Sequence, residues 1–255
     1  MISMIVENVY DLMRIFYNER VIKVLESILS KEEYWTVKSS YPKSTFYNII
    51  RVLRKVEFIK EDVDSYHITT AGLVYLKVFK MFSECVETIS KILRHFPDHK
   101  VVFPDEFLLR LHEIKDFEVV TSSRLDILKP IKTYVEYIKE SKEIYGVSPI
   151  LFSDYSEIFK DLLGKNTVAL VLTEDVAEQI VDKTLERYKP KLEIYVIDFN
   201  PYIAFTVTDR FLSIGFFYES GNYDFTRELI STSPSALKFG KDLFEYYRAK
   251  AKRIL

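Results

Sequence analysis

Over the first hundred residues the apolar positions recur at intervals of three and four, interrupted by one short stretch that alternates. Val21, Val24, Leu25, Ile28 and Leu29 fall at helical spacing, followed by Ser30-Lys31-Glu32-Glu33 and a short segment from Trp35 to Ser39. From Pro42 to Val56, at about 100° per residue, Phe46, Ile50, Leu53 and Glu57 fall on one side of a helix, with Ile49 and Val56 on its flank. Ser44, Asn48, Arg51 and Lys55 fall on the opposite side. Such a helix can pack its apolar side on its own domain and lay the other into a DNA major groove. An ordinary amphipathic surface helix has the same pattern. Phe58-Ile59-Lys60 then reads as a strand, Glu61 to Ser65 as a turn and Tyr66-His67-Ile68-Thr69 as a returning strand. Helices closed by a small hairpin predict a winged helix-turn-helix over residues 1–70.

The next segment is stiffer. Leu76, Phe79, Phe82, Val86, Ile89 and Leu93 alternate by three and four up to Pro97, a narrow seam of coiled-coil type. Residues 71–97 are therefore expected to form a linker helix about 38 Å long at about 1.5 Å per residue. Its seam either packs on the chain's own domains or joins two copies in a homodimer. Beyond it, residues 98–255 change character. A short helix is expected over Glu106–Ile114, strands over Phe117–Val120, Ile144–Val147, Val168–Leu172 and Leu192–Ile197, and helices over Leu125–Glu140, Tyr155–Leu163 and Asp175–Tyr188. Alternating strands and helices predict βαβ crossovers and an α/β domain with a mostly parallel sheet. Tyr202–Thr208 and Phe211–Tyr218, joined at Asp209-Arg210, read as an antiparallel hairpin at the sheet's far end. Gly221-Asn222 marks a turn and Ser235–Arg253 a closing helix.

Charge sharpens the reading of the first domain. The chain carries 36 Lys and Arg against 38 Asp and Glu, so it is nearly neutral. Between Tyr34 and Lys60, however, stand Lys38, Lys43, Arg51, Arg54, Lys55 and Lys60, opposed only by Glu57. A local cationic face on a neutral background is the electrostatic footprint of phosphate binding. Asparagine can pair with both hydrogen-bonding edges of adenine in the major groove, and arginine with those of guanine. Ser44, Thr45, Tyr47, Asn48 and Arg51 are accordingly the expected base or near-backbone contacts. Lys38, Lys43, Arg54, Lys55, Lys60 and His67 are the expected phosphate and wing contacts. The lone cysteine, Cys85, excludes an internal disulfide. The first ten residues lack a signal peptide's basic start, and no apolar run approaches the roughly 20 residues of a membrane span. A cytoplasmic protein without membrane contact is expected.

The runs Lys43-Ser44-Thr45-Phe46-Tyr47 and Tyr66-His67-Ile68-Thr69-Thr70-Ala71-Gly72 resemble the recognition helix and wing of many prokaryotic regulators. Four further runs are more specific: Ser141 to Pro149, Val171 to Val176, Ala204 to Arg210 and Ile230 to Leu237. Together they resemble the archaeal regulators of methanogenesis-regulatory-protein type, in order and over nearly the whole chain. The resemblance implies an archaeal transcription factor with an N-terminal winged helix and a C-terminal α/β regulatory domain. Two positions depart from the pattern. Pro42 stands where a capping serine is common, and Glu57 where a glycine usually ends the helix.

Enzyme signatures are sparse. No Gly-x-x-x-x-Gly-Lys or Gly-x-Gly-x-x-Gly occurs, so no cofactor is expected. The histidines are His67, His95, His99 and His112. Pro97 breaks the helical spacing of His95 and His99, and His112 with Asp116 is a poor metal set. None begins the His-x-Lys-x-x-x-x-Asp pattern of phospholipase-D-type enzymes. Cys85, among Phe82, Val86 and Ile89, reads as a buried thiol. The expected strand ends carry Thr121, Ser122, Ser123, Ser148, Thr173, Asp198 and Asn200, where parallel sheets bind ligands. With Arg124 these could hold a small polar effector, although each could equally be a helix cap. The sequence thus favours a dimeric regulator of double-stranded DNA that is not an enzyme. The rivals are an α/β enzyme and a winged helix that contacts protein.

Overall fold

The computed structural model describes residues 15, 18–30, 38–63, 65–150, 166–180 and 191–255. The chain divides into two compact units, Met1–Ser83 and Glu84–Leu255. In the first, α1 (Glu19–Ser30) buries Val21, Ile22, Val24, Leu25 and Ile28, while Leu29 at its end is exposed. Residues 38–40 are helical, and α2 (Lys43–Lys55) follows. Phe46, Ile49, Ile50 and Leu53 of α2 close the same core as α1. The strands β1 (Ile59–Asp62) and β2 (Ser65–Ile68) pair antiparallel with Ile59 opposite Ile68 and Asp62 opposite Ser65. The long helix α3 (Thr70–His95) starts in the first unit and ends in the second. The expected helix, hairpin and long helix are all present.

The expected seam on α3 is not one continuous face. Leu76 is buried in the core of the first unit with Phe79 packed beside it, and Cys85, Thr88 and Ile92 are buried in the second. The exposed apolar residues are Val74, Val78, Phe82, Val86 and Leu93. Both sets fall in helical phase along α3, so periodicity alone does not tell which faces inward. The Cys85 thiol is buried and donates to the Leu109 carbonyl at 3.3 Å.

The second unit continues through β3 (His99–Lys100), α4 (Asp105–Leu108), a 3-10 turn (Leu111–Ile114), β4 (Glu118–Thr121) and α5 (Lys129–Lys139). Next come β5 (Glu143–Ser148), β6 (Thr167–Thr173), α6 (Glu174–Ile180), β7 (Leu192–Ile197), β8 (Ile203–Thr208) and β9 (Leu212–Tyr218). The last elements are β10 (Arg227–Ser231), α7 (Pro234–Arg248) and β11 (Lys252–Arg253). These strands form a nine-stranded sheet in the order β11-β7-β6-β5-β8-β9-β10-β4, with β3 paired to β9. Among the described residues only β5–β6 and β6–β7 are parallel. The expected mostly parallel sheet is therefore corrected to a mixed one, and the β8–β9 hairpin lies in its middle, not at its edge. Apolar runs predict strands buried on both faces but carry no information on which strands pair. Strand β10 was missed because Arg227 and Glu228 break its apolar pattern. Glu228 accepts hydrogen bonds from Ser213 and Tyr223, which is how a strand tolerates it.

Other boundaries shift for local reasons. Helix α5 begins at Lys129, with Pro130 in its first turn, not at Leu125 as expected. Proline suits a first turn and interrupts an interior. The closing helix ends at Arg248, and Lys252–Arg253 instead pairs with β7. The expected helix 106–114 splits into α4 and the 3-10 turn. The expected helix 155–163 and the second half of 175–188 lie outside the described residues.

Helices cover both faces of the sheet. Tyr134, Ile138, Val176 and Ala177 from α5 and α6 join Ile144, Val168, Leu170 and Leu172 in one core. On the other face α7 lies close against β8 and β9. A Cβ on Gly240 would come within 2.7 Å of Leu212 and 2.9 Å of Val207, closer than packed atoms tolerate. The family-like runs serve this architecture. Thr208 accepts from the backbone N–H groups of Arg210 and Phe211 at 2.9 and 3.1 Å, closing the β8–β9 turn. Asp209 accepts from the Lys142 N–H at 2.8 Å and Arg210 reaches Glu140 at 2.6 Å, tying that turn to the start of β5. Burial acts to raise the Asp209 carboxyl, yet the N–H groups of Lys142 and Glu143 outweigh it and hold the group below its ordinary range. Ser233 caps α7 by accepting from the Ala236 N–H, while Ser231 and Ser235 donate to the carbonyls of Asp116 and Glu113.

Candidate nucleic-acid interface

Helix α2 carries the cationic residues, and its ends are unusual. Pro42 occupies the N-cap position with no side-chain cap, and its carbonyl accepts from the Phe46 N–H at 3.0 Å. No acid stands in the first turn, so the positive end of the helix dipole there is uncompensated. At the other end Glu57 has left the helix and adopts φ 58, which corrects its expected place on the apolar side. The Glu57 N–H donates to the Arg54 carbonyl at 3.0 Å and the Phe58 N–H to the Leu53 carbonyl at 2.9 Å. This is a Schellman motif, normally built on glycine because a Cβ is disfavoured at positive φ. The buried pair Leu53 and Phe58 supplies the apolar contact that accompanies it.

The hairpin is locked to that end by Thr69 and Gly72. Thr69 donates to the Glu57 carbonyl at 2.7 Å and accepts from the Gly72 N–H at 3.1 Å, so it both fastens the turn and caps α3. A Cβ on Gly72 would sit 2.4 Å from the Phe58 carbonyl oxygen, which explains why only glycine fits there. The Thr-x-x-Gly run after the hairpin is therefore structural.

The outward face of α2 holds Lys43, Ser44, Tyr47, Asn48, Arg51, Arg54 and Lys55, all exposed, with Thr45 half-buried. Arg51 Nη2 donates to Asn48 Oδ1 at 3.2 Å, so amide and guanidinium act as neighbours at the surface. Lys38 is half-buried. The hairpin is less cationic than expected. Arg54 pairs with Glu61 at 2.6 Å, and His67 lies 3.8 Å from Asp62 and 3.0 Å from Ser65 Oγ. Lys60 stands opposite His67 across the strands. The positive face thus belongs to α2, and the acids of β1 offset the cations nearest the hairpin.

In the second unit, strand topology separates the expected ligand residues. Thr121, Ser122 and Arg124 lie at the end of β4, six strand positions away from β7 in the sheet, on the order of 29 Å at about 4.8 Å per strand. Ser122 donates to the Ile127 carbonyl, and Ser123 accepts from the Asp126 N–H, as turn residues do. Ser148 donates to the Ile150 carbonyl. Thr173, Asp198 and Asn200 do come together, in a cleft of about 430 Å³ with Pro149, Glu174, Asp175, Glu178, Ile197 and Phe199. The three glutamate and aspartate residues of α6 were not singled out, because acids opening a helix ordinarily serve its dipole. His99 is fully buried with Nε2 2.9 Å from Asp224. No cluster of three or more histidine, cysteine or acidic side chains suited to a metal ion occurs among the described residues. Among those residues, no helix is long and apolar enough to cross a membrane.

Residues 127–250 match the family model of the middle domain of methanogenesis regulatory protein FilR1. The FilR1 protein of Methanothrix harundinacea (strain 6Ac) is 23% identical over 222 residues, covering 83% of this chain and 50% of that protein. The chain thus spans about half the length of the relative it matches. TrmBL2, described as an archaeal chromatin protein with a novel mode of DNA binding, shares 16% identity over 86% of each chain at a TM-score of 0.44. NucT from Helicobacter pylori shares 10% identity over 55% of this chain and 99% of its own, at a TM-score of 0.41. Structural likeness at this level decides nothing about function.

Proposed function

We propose, for a chain whose residues 127–250 match the family model of the FilR1 middle domain, a sequence-specific DNA-binding regulator that lays α2 into the major groove. The observation that carries this reading is the division of α2. Its apolar side is consumed by the core, while Ser44, Tyr47, Asn48, Arg51 and Lys55 face outward. Asn48 and Arg51 supply base contacts. Lys43, Lys55 and the uncapped start of α2 supply phosphate contacts, since first-turn N–H groups favour anions. Arg54, Lys60 and His67 contribute less, being close to Glu61 and Asp62. The exposed stripe Val74, Val78, Val86 and Leu93 of α3 suits a second copy of the chain, so that two α2 helices read two half-sites. The second unit senses a small effector and holds no catalytic centre.

Fluorescence anisotropy with duplex DNA tests this. On the selected site, Asn48→Ala should lower discrimination at one base pair by about 1–3 kcal/mol. Lys55→Ala should weaken binding to all duplexes and flatten the dependence of log K on log salt by about one unit. Weak, salt-insensitive binding would favour a protein-contacting winged helix and overturn the reading. Val78→Glu with Val86→Glu should convert the dimer to monomer in sedimentation.

A further inference from the structure

We propose that the cleft where β6 and β7 end binds a small aliphatic polyamine, an organic cation with several ammonium groups. This deepens the effector-sensing reading of the second unit and rests on it. Thr173 and Ile197 are register partners at the ends of two parallel strands. Beyond them the chain turns into α6 on one side and into Asp198-Phe199-Asn200 on the other. The cleft between, about 430 Å³, is lined by the carboxylates Glu174, Asp175, Glu178 and Asp198, and among the described residues no Lys, Arg or His lines it. That volume suits a small metabolite.

Three observations favour a cation there. Glu174 and Glu178 stand one helical turn apart, where like charges repel, and neither pairs with a cation among the described residues. The dipole at the start of α6 is equivalent to about half a positive charge, whereas the described lining holds four carboxylates, so the field of those residues is negative. Independently, Thr173 is only 8% exposed and its hydroxyl oxygen has no hydrogen-bond partner. An unpartnered polar atom is costly when buried, and an ammonium N–H bound in the cleft would satisfy it. Phe199, 41% exposed on the same wall, adds an aromatic face of the kind that attracts ammonium groups. The carboxylates do not gather into a set suited to a metal ion. Their spread along the walls matches a chain bearing several separated charges better than one compact ion.

Isothermal titration of the full chain, free of DNA, with spermidine tests the assignment. Saturable binding at one site per chain is expected, weakened at least tenfold by Glu178→Gln with Asp198→Asn and unchanged by Glu136→Gln on α5. Thr173→Val should weaken it at least threefold while leaving the melting temperature intact or raised. No saturable heat, equal affinity in the double variant, or displacement by magnesium at the same charge concentration would overturn the proposal. Tight binding that leaves DNA affinity unaltered would support the cleft and sink the effector-sensing reading. Loss of cleft binding would leave DNA recognition by α2 untouched.

Discussion

The outward face of α2 and the recognisable runs of the second unit differ in what their polar side chains do. Thr208, Asp209, Ser231, Ser233 and Ser235 spend their hydrogen-bonding capacity on backbone groups a few residues or a whole element away. Among the described residues Asn48 and Arg51 bond to each other, at the surface. The same residue types are thus fold determinants in one place and candidates for recognition in the other. What separates them is whether a side chain completes the backbone's own hydrogen bonding.

The comparison can be broken by substitution. The largest effect is expected at Glu228, whose carboxyl is pushed up to about 7 from an ordinary 4.5, first by burial. A group raised in the folded state takes up a proton on folding, so its contribution is present in full below about pH 4.5 and is lost as the pH rises through 7. Glu228→Gln should abolish that slope and stabilise the second unit at pH 8 by about 3 kcal/mol, measured by urea unfolding at pH 5 and pH 8. An unchanged slope would refute the role of Glu228. Gly72→Ala should destabilise the first unit by about 2 kcal/mol, through overpacking against the Phe58 carbonyl. Glu57→Gly should act in the opposite direction, adding about 1 kcal/mol by relieving the positive φ. Both are read from thermal melts. The smallest effect on stability is expected at Arg51→Ala, within about 0.5 kcal/mol as for surface positions. A loss as large as that of Gly72→Ala would show Arg51 to be a fold determinant after all.

Much of the first unit was legible because its information is local. A period of 3.6 residues places Phe46, Ile50 and Leu53 on one side whatever the rest of the chain does, and the hairpin follows from a polar turn between two short segments, each with an isoleucine facing the core side. The expectation failed at Glu57, where periodicity continued the helix and backbone hydrogen bonds ended it. In the second unit strands β5 to β9 were legible for the same local reason. Strand β10 was hidden by Glu228, whose partners Ser213 and Tyr223 come from β9 and the turn after it. The cleft was half legible. Thr173, Asp198 and Asn200 stand out as strand ends, whereas nothing in the sequence singles out Glu174, Asp175 and Glu178, because acids opening a helix are ordinary. Thr121, Ser122 and Arg124 were placed with them by a sheet order that does not exist.

By itself the sequence determined which segments are helix or strand and which side of α2 is apolar, since these follow from the backbone's own periods. Only the tertiary structure decided that β8 and β9 lie mid-sheet, which face of α3 stays exposed, and which strand ends meet. Those choices rest on pairing and burial between residues far apart in the chain, and a period of two or 3.6 is the same whichever partner a segment finds.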